Sequence, residues 1–136
     1  MYQIVKRLHN GDDLKAEIVK LAEKEKIPAG CIVSAVGSLT EANLRTVVKD
    51  GGPVFKKWVE HFEIVSITGT VSKYGHHIHI SISNVKGETF GGHLSEGCLV
   101  STVVELVILV FDDIEFKREF DESTGFKELT VVRRKE

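Results

Sequence analysis

Apolar and polar residues alternate with a period of two through His77-Ile78-His79-Ile80-Ser81-Ile82. That period belongs to a half-buried strand, with Ile78, Ile80 and Ile82 on the core face and His77 and His79 together on the other. The turn Asn84-Val85-Lys86-Gly87 predicts a hairpin closed by Gly87 in a left-handed conformation, with a bulge. Pairing Asn84 with Glu88 then sets His93 opposite His79. A loop one residue longer would instead turn His93 to the isoleucine side.

Near the start of the chain the period is helical. Leu14, Ile18, Leu21, Ala22 and Glu25 recur at i, i+4, i+7, i+8 and i+11, after the acidic Asn10-Gly11-Asp12-Asp13 and before Pro28. Acidic residues suit the positive N-terminal end of a helix, so this spacing predicts one amphipathic helix covering a face of a sheet. The other segments read as strands: Gln3 to Leu8, Cys31 to Val36 ending at Gly37, and Asn43 to Val48 ended by Asp50-Gly51-Gly52-Pro53. Phe62 to Val71 follows, with Gly69 as a bulge, and then the hairpin His77 to Ser83 and Glu88 to His93. Leu99 to Phe111 is too long and too apolar for a one-sided strand; it bends, or begins as a helical turn near Ser95. Ile114 to Phe120 and Leu129 to Arg133 close the chain, separated by Asp121-Glu122-Ser123-Thr124-Gly125. One early helix followed by strands in hairpin succession predicts a single α+β domain over residues 1–136 with a mostly antiparallel sheet. The helical crossover between the first two strands is the one place where a parallel pair is expected.

Composition changes this picture little. A chain of 136 residues can bury a real core, and 42% hydrophobic with 28% charged residues is an ordinary globular balance. Its longest apolar run is interrupted by Ser101, Thr102 and Glu105, so no membrane span is expected, and Met1-Tyr2-Gln3-Ile4-Val5 has no signal-peptide pattern. A cytoplasmic location follows as the expectation. Cys31 and Cys98 lack metal-motif spacing and read as buried free thiols. With 18 basic and 20 acidic residues, the net charge of −2 offers nucleic acid no global attraction.

The chemistry concentrates in the histidines. If the hairpin register holds, His77, His79 and His93 converge, and three neutral imidazoles are a common set of ligands for zinc or a similar divalent metal. Gly91 and Gly92 beside His93 leave room for another backbone or a ligand. The alternative is a row of surface histidines that binds nothing. Glu105, inside an apolar run, and Glu63 are each either partners of such a site or edge and interface residues. His61 and His76 read as solvated, and His9 as a loop residue. Ser95 and Cys98 lack any recognisable nucleophile motif. Gly51-Gly52 and Gly91-Gly92 lack the strand-to-helix context of a phosphate loop. Lys56-Lys57-Trp58 reads as an ordinary loop with a packed Trp, and Arg133-Arg134-Lys135 as a solvated terminus.

Four segments occur in a characteristic order: Ala29-Gly30-Cys31-Ile32-Val33-Ser34-Ala35-Val36-Gly37-Ser38-Leu39, Phe62-Glu63-Ile64-Val65-Ser66-Ile67-Thr68-Gly69-Thr70, His77-Ile78-His79-Ile80-Ser81, and Gly91-Gly92-His93-Leu94-Ser95-Glu96-Gly97-Cys98. Together they resemble the plants-and-prokaryotes-conserved (PPC) domain, over nearly the whole chain from Tyr2 to Val132. The resemblance implies a stand-alone, homotrimeric α+β domain. It also implies a metal on His77, His79 and His93. Plant members are DNA-binding regulators that carry AT-hook segments, and prokaryotic members are called DNA-binding by analogy. This chain has no Arg-Gly-Arg-Pro-type hook, and Ser81 stands where many prokaryotic relatives have a further histidine. The expectation is therefore a homotrimer with a zinc-like ion, a small-molecule ligand at that ion, and weak or indirect association with DNA in a regulatory role. The alternative is a small metalloenzyme with Glu63 or Glu105 as general base.

Overall fold

In the computed structural model, which describes residues 1–46 and 51–134, the chain runs through nine strands and one helix. Strand β1 is Tyr2–His9, and α1 is Leu14–Lys24. Then come β2 (Gly30–Thr46), β3 (Val54–Trp58), β4 (Phe62–Ser72), β5 (Gly75–Asn84), β6 (Thr89–Leu94) and β7 (Leu99–Val110). Strands β8 (Ile114–Asp121) and β9 (Phe126–Arg133) form a separate two-stranded sheet. The main sheet has the order β1-β7-β2-β4-β5-β6, with β3 paired to β2. The architecture is the expected α+β fold, and no helix among the described residues is long and apolar enough to cross a membrane.

Helix α1 starts where the acidic cluster predicts. The Asp13 carboxylate accepts the Ala16 N–H at 3.0 Å, and its other oxygen accepts the Gly97 N–H at 2.6 Å, so one side chain both caps the helix and ties it to the turn before β7. Leu14, Ile18, Leu21 and Ala22 are the buried face. They pack into a core with Ile78, Ile80 and Ile82 from β5, and with Val104, Leu106 and Ile108 from β7. Fully burying a side chain such as Leu14 or Ile18 stabilises the fold by about 2 kcal/mol each.

Several strand expectations need correction. Cys31 to Val36 and the stretch from Asn43 onward are one strand, β2, because bulges after Ile32 and Leu39 bend it instead of ending it. Residues 47–50 of the expected second strand and turn lie outside the described residues. Lys56-Lys57-Trp58 is strand rather than loop, pairing with β2, and Trp58 packs on Phe62 and Phe90 as a Trp should. The bulge in β4 falls between Ile64 and Ser66, not at Gly69. Gly69 has a different purpose: a Cβ there would stand 2.6 Å from the His77 carbonyl oxygen, so only glycine lets β4 and β5 approach this closely. The expected parallel pair is absent among the described strands, since β7 inserts between β1 and β2 and runs antiparallel to both.

Strand β7 bends as expected instead of starting with a helical turn at Ser95: Thr102 takes φ +66, and Thr102 and Val103 bulge out of the ladder with β2 between Ser101 and Val104. Val104, Leu106, Ile108 and Val110 point inward; Val103, Glu105, Val107 and Leu109 point outward. The other end of β2 bends over until Leu44 and Arg45 pair with Leu94 and His93, closing β2, β4, β5 and β6 into a ring.

Candidate metal centre

The histidine hairpin adopts the shorter of the two registers. The Gly87 N–H donates to the Asn84 carbonyl at 2.9 Å, Gly87 takes φ +78, and the Asn84 N–H donates to Glu88 at 3.0 Å. His79 consequently pairs with His93. His77 and His79, one period apart on β5, share the face opposite Ile78 and Ile80, which are buried.

The three side chains meet. One ligand atom from each of His77, His79 and His93 can be chosen so that all lie within 4.8 Å of one another. The Nε2 atoms of His77 and His79 are 3.1 Å apart. A tetrahedral zinc ion with Zn–N of about 2.05 Å places its nitrogens about 3.3 Å apart, so this pair already has the spacing of a chelate. The His77 and His93 rings stack at 5.4 Å, while His79 stands edge-on to both. The donor set therefore fits a borderline-soft divalent ion that favours imidazole.

The electrostatics also favour ligation. Burial first, and then the charges of His79 and Arg118, hold the His77 pKa below its ordinary value, although Glu128 pulls the other way. Burial followed by Arg45 does the same for His93. Both imidazoles are thus neutral near pH 7, the form that coordinates. Arg45 Nη2 donates to His93 Nδ1 at 3.1 Å, a contact created by the β2–β6 pairing.

Other candidate residues are elsewhere or differ from expectation. His61 is exposed and sits 2.8 Å from Glu63, whose other oxygen accepts the Ser38 hydroxyl; the His61 and Ser38 hydrogen bonds lower the Glu63 pKa. Glu105 is exposed on the outer face of β7, opposite Arg7 and Val36. Glu63 pairs with Ser83, four residues along β5 from His79, and Glu105 sits on β7, which does not border β5, so neither is placed beside the histidines as a general base. His76 is half-buried rather than solvated; burial and the nearby Lys15 and Arg118 hold its pKa down. His9 ends β1 rather than lying in a loop. Cys98 is a buried free thiol whose pKa burial raises, whereas Cys31 is only half-buried. Sequence reasoning missed Arg45, Arg118 and Glu128. No local spacing marks them, because strands distant in sequence bring them to the site.

The pattern that defines the Plants and Prokaryotes Conserved (PCC) domain matches residues 1–112. A curated relative, the bifunctional protein GlmU of Synechococcus sp. (strain JA-2-3B'a(2-13)), is 38% identical over 125 residues, 92% of this chain. The chain spans about a fifth of that relative's length, 19%. A hypothetical protein from Salmonella cholerae-suis superposes with a TM-score of 0.91 at 29% identity, covering 98% of this chain and 94% of the other. The metal-containing protein from Archaeoglobus fulgidus superposes at 0.82 with 30% identity, covering 96% and 94%.

Proposed function

The chain belongs to the Plants and Prokaryotes Conserved domain family, and from that premise we propose that it is a metal-binding domain, working as a homotrimer in DNA-associated regulation. The observation that carries the metal reading is the convergence of His77, His79 and His93, with two ring nitrogens already 3.1 Å apart. The name of the Archaeoglobus relative, a metal-containing protein, supports it. Zinc suits three imidazoles with an open position, where it acts as a Lewis acid toward a fourth ligand.

Self-association finds support on the outer face of the sheet. Val5, Val33 and Val36 are more than half exposed on β1 and β2, the strands that flank β7, and Val5 pairs directly with Val107. Several large apolar side chains exposed on neighbouring strands favour an interface over a solvated surface. Direct contact with DNA is limited by charge, so a regulatory role relies on partners or on basic clusters brought together by assembly.

Elemental analysis of the purified protein, combined with its light-scattering mass, tests the proposal. About one divalent ion per chain and a mass near three times 15.1 kDa are expected. Protein without bound metal, purified in the absence of chelators, would overturn the metal reading.

A further inference from the structure

The contact between Arg45 and His93 is incompatible with a metal ion on His93. A guanidinium has donors only, so His93 Nδ1 must be accepting, and a neutral imidazole has one accepting nitrogen. An ion that takes Nδ1 displaces Arg45. An ion that takes Nε2 leaves the ring proton on Nδ1, where it faces the donors of Arg45. Either way, loading the site frees the Arg45 guanidinium while keeping it beside the ion.

The loaded site would also be strongly positive. The three imidazoles are neutral and bring no charge to offset the ion, and no Asp or Glu belongs to the group. Three concavities of about 480, 400 and 470 Å³ open around the histidines, and Arg45 and His93 line all of them. Lys15 borders the first; Arg118 and Lys127 border the third. Two carboxylates lie on these rims. Glu96 is one, and Glu128, which accepts the Thr124 hydroxyl at 3.0 Å, is the other. Arg118 is partly engaged, donating to Thr70 at 2.8 Å. Volumes of this size hold a small molecule.

We propose that the metal centre takes an oxyanion as its open ligand, a small carboxylate or phosphate held between the ion and the guanidinium of Arg45. The inference rests on the metal reading above. It assigns Arg45 two effects: it competes with the metal for His93 when no anion is present, and it anchors the anion once metal is bound. A planar guanidinium suits an oxyanion because two parallel N–H bonds match two oxygens. Metal and anion should therefore strengthen each other's binding, and reciprocally, since each removes what opposes the other.

Cobalt(II), whose visible spectrum reports its ligands, provides the test. The cobalt-loaded protein is titrated with oxalate, with inorganic phosphate and with neutral acetamide, alongside Arg45→Gln, Arg45→Lys and the outer-face control Arg7→Gln. A spectral response to oxalate identifies a carboxylate site and one to phosphate a phosphate site, with acetamide inert. Arg45→Gln should weaken that response by about tenfold or more, the cost of a lost charge-assisted pair, while Arg7→Gln leaves it unchanged. Without anion, Arg45→Gln should bind cobalt more tightly than the unmodified protein. If Arg45→Gln fails to fold, Arg45→Lys decides, with an intermediate loss expected. Full cobalt occupancy with no response to either anion would overturn the proposal, as would equal responses in the unmodified protein and both Arg45 variants. Failure of the unmodified protein to take up cobalt sinks the metal reading itself and is recognised separately.

Discussion

At the residue scale, the three histidines share one property that decides their use: none has a carboxylate partner within the group. Coordination then requires all three, because two imidazoles alone make a weak site. His77→Ala, His79→Ala and His93→Ala should each reduce bound zinc from about one ion per chain to a small fraction, and His61→Ala should leave it unchanged. Elemental analysis of the four variants checks this, and equal metal content in all of them would refute the assignment. Acid should act in the same direction. Burial holds the pKa of His77 and His93 below the ordinary value of about 6.5, so zinc content should be flat near pH 7 and fall only below about pH 6.5. The metal-free protein should lose stability over the same range, because the unfolded chain takes up protons near pH 6.5 before these folded imidazoles do. Metal content and thermal melts followed from pH 8 to 5 test both statements; release already complete at pH 7 contradicts them.

At the scale of elements, β5 is held between its two ladder partners, β4 and β6. At Gly69 the strands come so close that an added Cβ would stand 2.6 Å from the His77 carbonyl oxygen. Gly69→Ala should push β5 away, costing about 1–3 kcal/mol as an overpacked core position does, and should weaken zinc binding with it. A chemical-denaturation curve and a zinc titration of the same variant measure the two effects. Tighter or unchanged zinc binding would show that the hairpin holds its histidines without β4. Helix α1 contributes differently, through its cap. Asp13→Ala loses the bond to Ala16 and the one to Gly97, so its cost should exceed the roughly 1 kcal/mol of an ordinary N-cap. A loss well under that figure would mean the turn before β7 holds itself.

At the scale of the whole molecule, the outer sheet face and the net charge set the expectations. Val104 and Leu106 are fully buried in the core, so substituting them tests folding rather than assembly. Val107 lies on the outward side of the same strand, opposite Val5, and is the informative position. Val107→Lys should reduce the light-scattering mass from three chains to one while the protein stays folded. A mass of 15.1 kDa for the unmodified protein would remove the trimer. For DNA, a charge of −2 per chain gives three times −2, or −6, for a trimer. Lys56 is held over the Trp58 ring, and Arg134 donates to the Asp112 carbonyl, so both cations are partly engaged within the chain. Binding to duplex should be weak, tolerant of sequence and abolished by moderate salt. A fluorescence titration at physiological salt that found tight, sequence-selective binding would overturn this expectation.

Much of this was readable without coordinates, for a physical reason. Alternation along β5 put Ile78, Ile80 and Ile82 inward and His77 with His79 outward, because strand periodicity depends only on neighbouring residues. The turn at Asn84 to Gly87 carried the register to His93, since a short hairpin leaves little freedom between its strands. The same local logic placed α1 and its buried stripe. What local pattern could not supply was everything that depends on contacts distant in sequence. Only the folded chain shows that bulges join two apparent strands into β2, that β7 inserts between β1 and β2, and that the end of β2 carries Arg45 to His93. Those features follow from which strands find each other across tens of residues, and that choice is made by packing the whole core at once.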